Sequence, residues 1–142
     1  MKYLFLFLFL FVNIHAEMSP LVYEKVRNSA PEFLKIEVLS VKTNKKEENI
    51  LHVDVRARVL KVYRTKSDLK NGDLINISYT IIIHKEMGWV GPSSNILLKT
   101  SKKYLAYLKK IDSDKYTTDA YGKSFDTPFI NMEKAMEIDW DR

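Results

Sequence analysis

Apolar and polar residues alternate most regularly along the stretch Ile50–Arg64. Every second residue from 51 to 59 is apolar, and polar residues stand between them. A period of two is typical of a strand with one buried face and one solvent-facing side. The phase changes near the end, where Leu60 and Val62 are apolar on the polar side. The stretch therefore predicts a long strand that contains a β-bulge or a sharp bend.

The preceding stretch, Phe33–Lys42, has the same change of phase, between Val38 and Leu39. A polar segment, 43–49, separates it from Ile50–Arg64. The two strands are therefore expected to form a bent antiparallel hairpin, and one shared bend would explain both changes of phase. Three further strands are predicted from apolar residues bounded by turn residues. They are Leu74–His84, Lys103–Lys110 and Lys115–Tyr121.

Two short helices are predicted near the ends of the chain. Ser19 and Pro20 suit the N-cap and the first position of a helix that ends near Asn28. The second helix is Phe129–Ile138, whose apolar side suits docking against another surface. That side consists of Phe129, Met132 and Met136. The whole pattern predicts an all-β chain with short terminal helices, folded as a five-stranded antiparallel OB-like barrel.

The first residues have the features of a secretory signal peptide. Lys2 gives a positive start, Leu4–Val12 is an apolar run, and Ala16 is a small residue at a cleavage position. Residues 1–16 are therefore expected to be removed, leaving 17–142 as a single domain that is exported to the periplasm or outside the cell. The alternative is an uncleaved membrane anchor, but the run of nine apolar residues is shorter than the about 20 that span a bilayer. No later stretch is long or apolar enough to be a second membrane segment, so no membrane span is expected after cleavage.

Composition narrows the chemistry that this chain can perform. It contains no cysteine, which excludes disulfide bonds, a thiolate nucleophile and a cysteine-based zinc site. After the expected cleavage only His52 and His84 remain, without HxH or HExxH spacing, so no metal site is predicted. Motifs such as GxSxG, SxxK and GxxxxGK are also missing. We therefore expect no cofactor, no catalytic residues and no enzymatic activity, although a Ser/His/Asp arrangement can still assemble through folding.

A glycine- and proline-containing loop at 85–95 is the first candidate binding site. Trp89 lies in it, next to Met87, Val90 and Pro92. A tryptophan on such a loop offers a large anchor for a protein partner. The alternative is that Trp89 folds back and closes one end of the barrel.

A basic strand face is the second candidate site. Its residues are Arg56, Arg58, Lys61, Tyr63 and Arg64. The chain has a formal net charge of +5, and a basic face with a tyrosine can bind single-stranded nucleic acid or another anionic polymer by charge and stacking. Arginines at alternating positions also occur on any solvated strand face. Export makes a nucleic-acid ligand the less expected of these alternatives.

The order of elements resembles the OB-fold barrels of the netrin-like and tissue-inhibitor-of-metalloproteinase-like (TIMP-like) group. The stretch Val55–Tyr79, with its Leu69–Asp73 connection, is similar to their strand, short connection, Gly-Asp and following strand. Lys103–Leu108 and Tyr121–Phe125 resemble two later segments of that group, and the set also looks like small exported bacterial proteins without an assigned activity. The resemblance implies the fold and a binding or inhibitory tendency. Animal inhibitors of this group ligate zinc through an N-terminal cysteine, which this chain lacks, so that mechanism is excluded.

The function expected from the sequence is that of an exported binding or accessory module without catalytic activity, which recognises a protein partner in the cell envelope. One alternative is an inhibitor of an envelope or secreted hydrolase. Another is binding of single-stranded nucleic acid or an anionic polymer through the Arg56, Arg58 and Tyr63 face.

Overall fold

The computed structural model describes residues 19–83 and 94–127. The signal segment, the loop around Trp89, His84 and the predicted helix Phe129–Ile138 lie outside the described residues. The described elements are α1 (Pro20–Ser29), β1 (Glu32–Glu47), β2 (Ile50–Arg64), β3 (Leu74–Ile82), β4 (Lys103–Lys110), β5 (Lys115–Thr118), a 3₁₀ turn (Tyr121–Lys123) and β6 (Phe125–Asp126).

Five strands close into a barrel in the order β1-β2-β3-β5-β4, because β4 also pairs with β1. The short strand β6 pairs with β4 as an addition to the barrel. The predicted OB-like barrel is therefore confirmed, but the prediction that it is antiparallel throughout is wrong. Strands β3 and β5 run parallel, with Ile77 opposite Tyr116. Strand directions cannot alternate all the way round a closed ring of five, so one neighbouring pair must be parallel.

The two changes of phase predicted in the hairpin are β-bulges in the β1–β2 ladder. In β1, Leu39 is the extra residue between Val38 and Ser40, which pair with Ala57 and Arg56. In β2, Leu60 is the extra residue between Val59 and Lys61, which pair with Ile36 and Lys35. The prediction of one shared bend is wrong, because the two bulges lie on opposite strands at different points of the ladder. Each bulge turns the following side chains to the other face. This is why two strands of 16 and 15 residues can curve around one small core.

The core fills the inside of the barrel with side chains from every main strand. Tyr79 is among them, and its hydroxyl donates to the Ile96 carbonyl oxygen at 2.9 Å and accepts from the Leu98 amide at 3.3 Å. Its aliphatic members include Leu34, Ile36, Val38, Val53, Val55, Val59, Ile75, Ile77, Leu98 and Leu108. The alternating residues of β2 from 53 to 59 face this core, as the sequence predicts.

Helix α1 begins at Pro20, with Ser19 at the N-cap, as predicted, and it ends at Ser29. Arg64 of β2 holds its C-terminal end, because Nε donates to the Ala30 carbonyl oxygen at 2.8 Å and Nη2 donates to that of Arg27 at 2.7 Å. A guanidinium at this end of a helix satisfies unpaired carbonyl groups and interacts favourably with the helix dipole. The last turn of α1 is thereby fixed against the barrel.

The chain after β5 differs from the prediction of one strand reaching Tyr121. Strand β5 ends at Thr118, and the chain turns before β6. Ser124 closes this turn, since its hydroxyl accepts from the Ala120 amide at 2.9 Å and donates to the Tyr121 carbonyl oxygen at 2.7 Å. Within 19–83 and 94–127, no helix has the length and apolar character needed to cross a membrane.

Candidate binding surface

Three aromatic rings stack in a row on the outer face of β2, β1 and β4. The Phe33 ring centroid lies 4.5 Å from that of Tyr107, with 5° between the ring planes, and 4.7 Å from that of Tyr63. Phe33 and Tyr107 are direct partners in the β1–β4 ladder. Tyr63 is an extra residue of β2, because it lies between Val62 and Arg64, which pair with Leu34 and Phe33. Neighbouring strands lie about 4.8 Å apart, so the spacing of the strands sets the spacing of the rings.

Cations cover both ends of this row of rings. The Arg27 guanidinium lies 4.9 Å from the centroid of the Tyr107 ring, and the Lys61 ammonium lies 5.2 Å from that of Tyr63. Each such contact contributes about 0.5–1 kcal/mol at an exposed site. Every ring of the row therefore stacks with at least one neighbouring ring, and a cation lies near the ring of each tyrosine. The tyrosines add two hydroxyl groups to the row.

Two further rows of outward residues continue the same surface along the strands. In the first, Lys35 of β1 is opposite Lys61 on one side and Leu105 on the other. In the second, Glu37 pairs with Arg58 and Lys103. We call this surface the cation–aromatic face. Its residues are Phe33, Tyr63, Tyr107, Arg27, Lys35, Arg58, Lys61 and Lys103.

The Lys35–Lys61 pair is the unusual feature of the cation–aromatic face. Two lysines face each other in this row, and Arg58 and Lys103 flank Glu37 in the next row. The two rows therefore contain four cations and one carboxylate. Clustered positive charge of this kind suits a negatively charged ligand.

Arg27 is held in place at the helix side of the face. Its Nη2 lies 3.3 Å from Asp126 Oδ2, and its Nε donates to the Lys123 carbonyl oxygen at 2.8 Å. Burial raises the pKa of Tyr107, Asp126 adds to the rise, and Arg27 and Arg64 oppose it. The Tyr107 hydroxyl consequently stays protonated at neutral pH and can donate a hydrogen bond.

The structure divides the predicted basic strand face. Arg58, Lys61 and Tyr63 belong to the cation–aromatic face. Arg56 is exposed farther along β2, opposite Ser40 and Asn76. Arg64 uses its guanidinium on the end of α1, as described above, and lies 5.9 Å from the Phe33 ring centroid.

Five members of the face were missed in the sequence: Phe33, Tyr107, Arg27, Lys35 and Lys103. They come from three distant parts of the chain, and pairing between β1 and β4 brings the two rings together. The predicted partner loop with Met87, Trp89, Val90 and Pro92 lies outside the described residues. Its role stays a prediction.

A Ser/His/Asp arrangement does assemble on the outer side of β2 and β3. His52, Asp54 and Ser78 line a groove of about 430 Å³. However, the Ser78 hydroxyl donates to Asp54 Oδ1 at 2.6 Å. In a catalytic triad the histidine stands between serine and carboxylate and takes the serine proton. Here the hydroxyl proton points to the carboxylate, so the serine is not activated by the imidazole and the group does not form a catalytic triad.

A buried carboxylate lies at the start of β1, and the sequence reading overlooked it. Glu32 is 1% exposed, and its Oε1 accepts from the Lys66 amide at 3.2 Å and the Ser67 amide at 3.1 Å. The Ser67 hydroxyl in turn shares a hydrogen bond of 2.8 Å with the Tyr116 hydroxyl. Glu32 has the same parity as Leu34, which could have identified it as inward-facing. Its contacts show that it fixes the β2–β3 connection.

Across 19–83 and 94–127, no three His, Asp or Glu side chains come together in a way that could hold a metal ion.

Neither a scan against protein-family models nor a search of the curated proteins found a match for this chain.

Proposed function

We propose that this protein is an exported, non-catalytic OB-like module that binds an acidic region of a protein partner in the cell envelope through the cation–aromatic face. The observation that carries the proposal is the group of four cations in the two rows beside the stacked rings: Lys35, Lys61, Arg58 and Lys103. It provides concentrated positive charge next to ordered aromatic side chains. Aromatic residues and arginine are the side chains that contribute most often to the strongest contacts in protein interfaces.

The arrangement of the rings favours an acidic protein over single-stranded nucleic acid. Bases bind to such surfaces by stacking on a free aromatic face. On this face the Phe33 ring stacks with two tyrosines, and a cation lies near the ring of each tyrosine. A base would compete with these contacts for the ring faces. A carboxylate needs only the cations and the tyrosine hydroxyls.

Binding of an anionic polymer is the second candidate, favoured by one observation. Arg56 and Arg58 continue the positive charge of Lys61 along the exposed side of β2. A continuous line of positive charge suits a polyanion, whose affinity would fall steeply with salt. The third possibility, inhibition of an envelope or secreted hydrolase, stays a prediction from the resemblance.

Two defined probes test the proposal on the purified protein: a polyglutamate peptide and an oligothymidylate strand, each followed by fluorescence anisotropy over a range of salt concentrations. The test variant is Lys35→Glu with Lys61→Glu. The matched control is Lys42→Glu with Lys45→Glu, which makes the same change of charge at exposed positions of β1 outside the face. Thermal unfolding shows that each variant is folded.

We expect polyglutamate to bind the wild-type protein and the control, and to lose most of its affinity for the test variant. Equal losses in the two variants would contradict the proposal, because they would show a response to net charge alone. Preferential binding of oligothymidylate, weakened by Tyr63→Ala, would favour the anionic-polymer candidate.

A further inference from the structure

Strands β3 and β5 separate soon after their parallel ladder begins. The ladder contains two residue pairs and ends at Ile77 of β3. Strand β3 continues to Ile82, whereas β5 stays with β4, where Thr118 pairs with Leu108. In the second half of β3, the ladder with β2 continues and the ladder with β5 has ended. We call the side of Ser78–Ile81 that faces away from β2 the free edge.

The free edge presents main-chain groups that no other strand pairs with. The Asn76 amide donates to the Asp114 carbonyl oxygen at 2.9 Å on the β5 side. The Ile82 amide donates to Ser94 Oγ at 2.9 Å. Main-chain groups of alternate residues point to the same edge of a strand, so the amide and carbonyl groups of Thr80 point to this edge as well. Within the described residues, no hydrogen bond engages the Thr80 amide.

The groove of about 430 Å³ on the outer side of β2 and β3 borders the free edge. Its volume is within the range of about 300–1,000 Å³ that is typical of ligand sites. The lining includes His52 and Asp54 of β2, Ser78 and Thr80 of β3, and residues 117–118 of β5. These side chains are polar, so the groove suits a ligand that forms hydrogen bonds.

An extended peptide has the groups that the free edge needs. Unpaired amide and carbonyl groups on a strand edge are a template for another chain. Peptides bind to such edges as an added strand, where main-chain hydrogen bonds give affinity and alternate side chains give specificity. At about 3.3 Å per residue, the four residues of the free edge extend over about 13 Å. The site therefore fits a short extended segment.

The charge of the groove favours a basic residue in this segment. Asp54 is the carboxylate of the lining, and its Oδ1 accepts from the Ser78 hydroxyl at 2.6 Å. Lys42 is opposite Asp54 in the β1–β2 ladder, but within 19–83 and 94–127 no ion pair engages this carboxylate. An outward side chain of an added strand would lie beside Ser78. A long cationic side chain at that position can reach over the small serine to Asp54.

We propose that this groove binds an extended basic peptide segment of a protein partner, which adds as a short strand to the free edge of β3. The peptide main chain forms hydrogen bonds with Thr80, and a lysine or arginine of the peptide interacts with Asp54. The groove shares no residue with the cation–aromatic face, so the inference does not depend on the proposed function.

A fluorescently labelled peptide of alternating lysine and threonine, with blocked ends, tests the proposal by anisotropy on the full chain. Two further peptides carry N-methyl groups on all the lysines or on all the threonines. Only one of these two sets of amides faces β3 in an added strand. We expect one methylated peptide to bind at least about tenfold more weakly and the other to bind within about twofold of the parent. Equal effects of the two methylations, or no binding of the parent peptide, would overturn the proposal.

Substitutions at Thr80 test the free edge from the side of the protein. Thr80→Pro removes the amide that points away from β2, and proline is tolerated where its nitrogen faces the open side of a strand. We expect it to weaken binding of the parent peptide at least about tenfold. Thr80→Val is the matched control, because it keeps the amide and removes only the hydroxyl, and it should bind as the wild type does. Equal affinities of the two variants would contradict the added strand.

Asp54→Asn tests the charge, with a peptide of alternating glutamine and threonine as the uncharged probe. We expect the wild type to prefer the lysine peptide and the variant to lose this preference. A preference that persists would show that Asp54 does not bind the basic residue. Thermal unfolding shows that the variants are folded, and the methylated peptides test the added strand on the wild type even if Thr80→Pro does not fold.

Discussion

The Arg64 side chain of β2 donates to the carbonyl oxygen of Ala30 at 2.8 Å and thereby joins the end of α1 to the barrel. The same guanidinium also donates to the main-chain carbonyl oxygen of Arg27. The Arg27 side chain in turn lies against one end of the ring row. One residue of a long strand therefore positions both the helix and a cation of the candidate binding surface. Its structural role could not be read from its place in a basic stretch.

We expect Arg64→Ala to lower the free energy of unfolding by about 2 kcal/mol, because two charge-assisted hydrogen bonds to helix carbonyl groups are lost. Arg64→Lys should recover less than half of the loss, since an ammonium cannot reproduce the two-donor geometry of a guanidinium. Urea unfolding measures both variants.

Arg56→Ala is the matched control for Arg64→Ala, because it removes the same side chain from an exposed position of the same strand. We expect a change within about 0.5 kcal/mol for this control. A loss for Arg64→Ala that is no larger than for Arg56→Ala would contradict the role of Arg64 as the anchor of α1.

Glu32 provides a second test of an interaction between distant parts of the chain. Its buried carboxylate accepts from the amides of Lys66 and Ser67. We expect Glu32→Ala to lower the free energy of unfolding by about 2 kcal/mol, because the two hydrogen bonds that join β1 to the β2–β3 connection are lost, each contributing about 0.5–1.5 kcal/mol. Urea unfolding is again the measurement. Glu47→Ala, at the exposed end of β1, is the control, and an equal small effect of both changes would show that Glu32 is not needed to hold the connection.

Tyr79, one of the buried tyrosines of the core, predicts how stability depends on alkaline pH. Burial raises the pKa of Tyr79 from 10.0 to about 12, Tyr104 adds to the rise, and the hydrogen bond from the Leu98 amide opposes it. The unfolded chain therefore releases this proton at lower pH than the folded protein. The stability from this group is fully present below pH 10.0 and is lost as the pH rises to about 12.

The measurement is the free energy of unfolding in urea between pH 8 and pH 12, compared with Tyr79→Phe. The variant loses the two hydrogen bonds of the hydroxyl, so we expect it to be less stable at pH 8. Its stability should decline less steeply above pH 10, because the ionising group is gone. Parallel curves for the two proteins would contradict the assignment of this pH dependence to Tyr79.

Local patterns predicted the strands of the barrel because one face of each strand is buried. The parity of β1 and β2 identified their inward side chains, and the change of parity identified the bulges. The same parity also places Glu32 on the inner side. It was not predicted to be buried, because the prediction of inward positions used apolar residues. The alternation of apolar and polar residues lies within a single strand, so it can be recognised from the sequence alone.

Relationships between distant segments could not be predicted in the same way. The parallel pairing of β3 with β5 follows from closing a ring of five strands, which no single segment encodes. The ring row depends on Phe33 and Tyr107 becoming neighbours through the β1–β4 ladder. The candidate site was therefore predicted in part, from its β2 residues, while the members on other elements required the fold.

The β1 bulge gives a direct test of the difference between inward and extra residues. Ile36 is fully buried in the core, whereas Leu39 is the extra residue of the bulge and is half-buried. We expect Ile36→Ala to lower the free energy of unfolding by about 2–5 kcal/mol, because it leaves a cavity in the barrel. Leu39→Ala should cost about 1 kcal/mol or less, since it removes less buried apolar surface. Urea unfolding measures the loss of stability in each variant. Equal losses would mean that Leu39 packs as a core residue and that the ladder of β1 with β2 is continuous at this point.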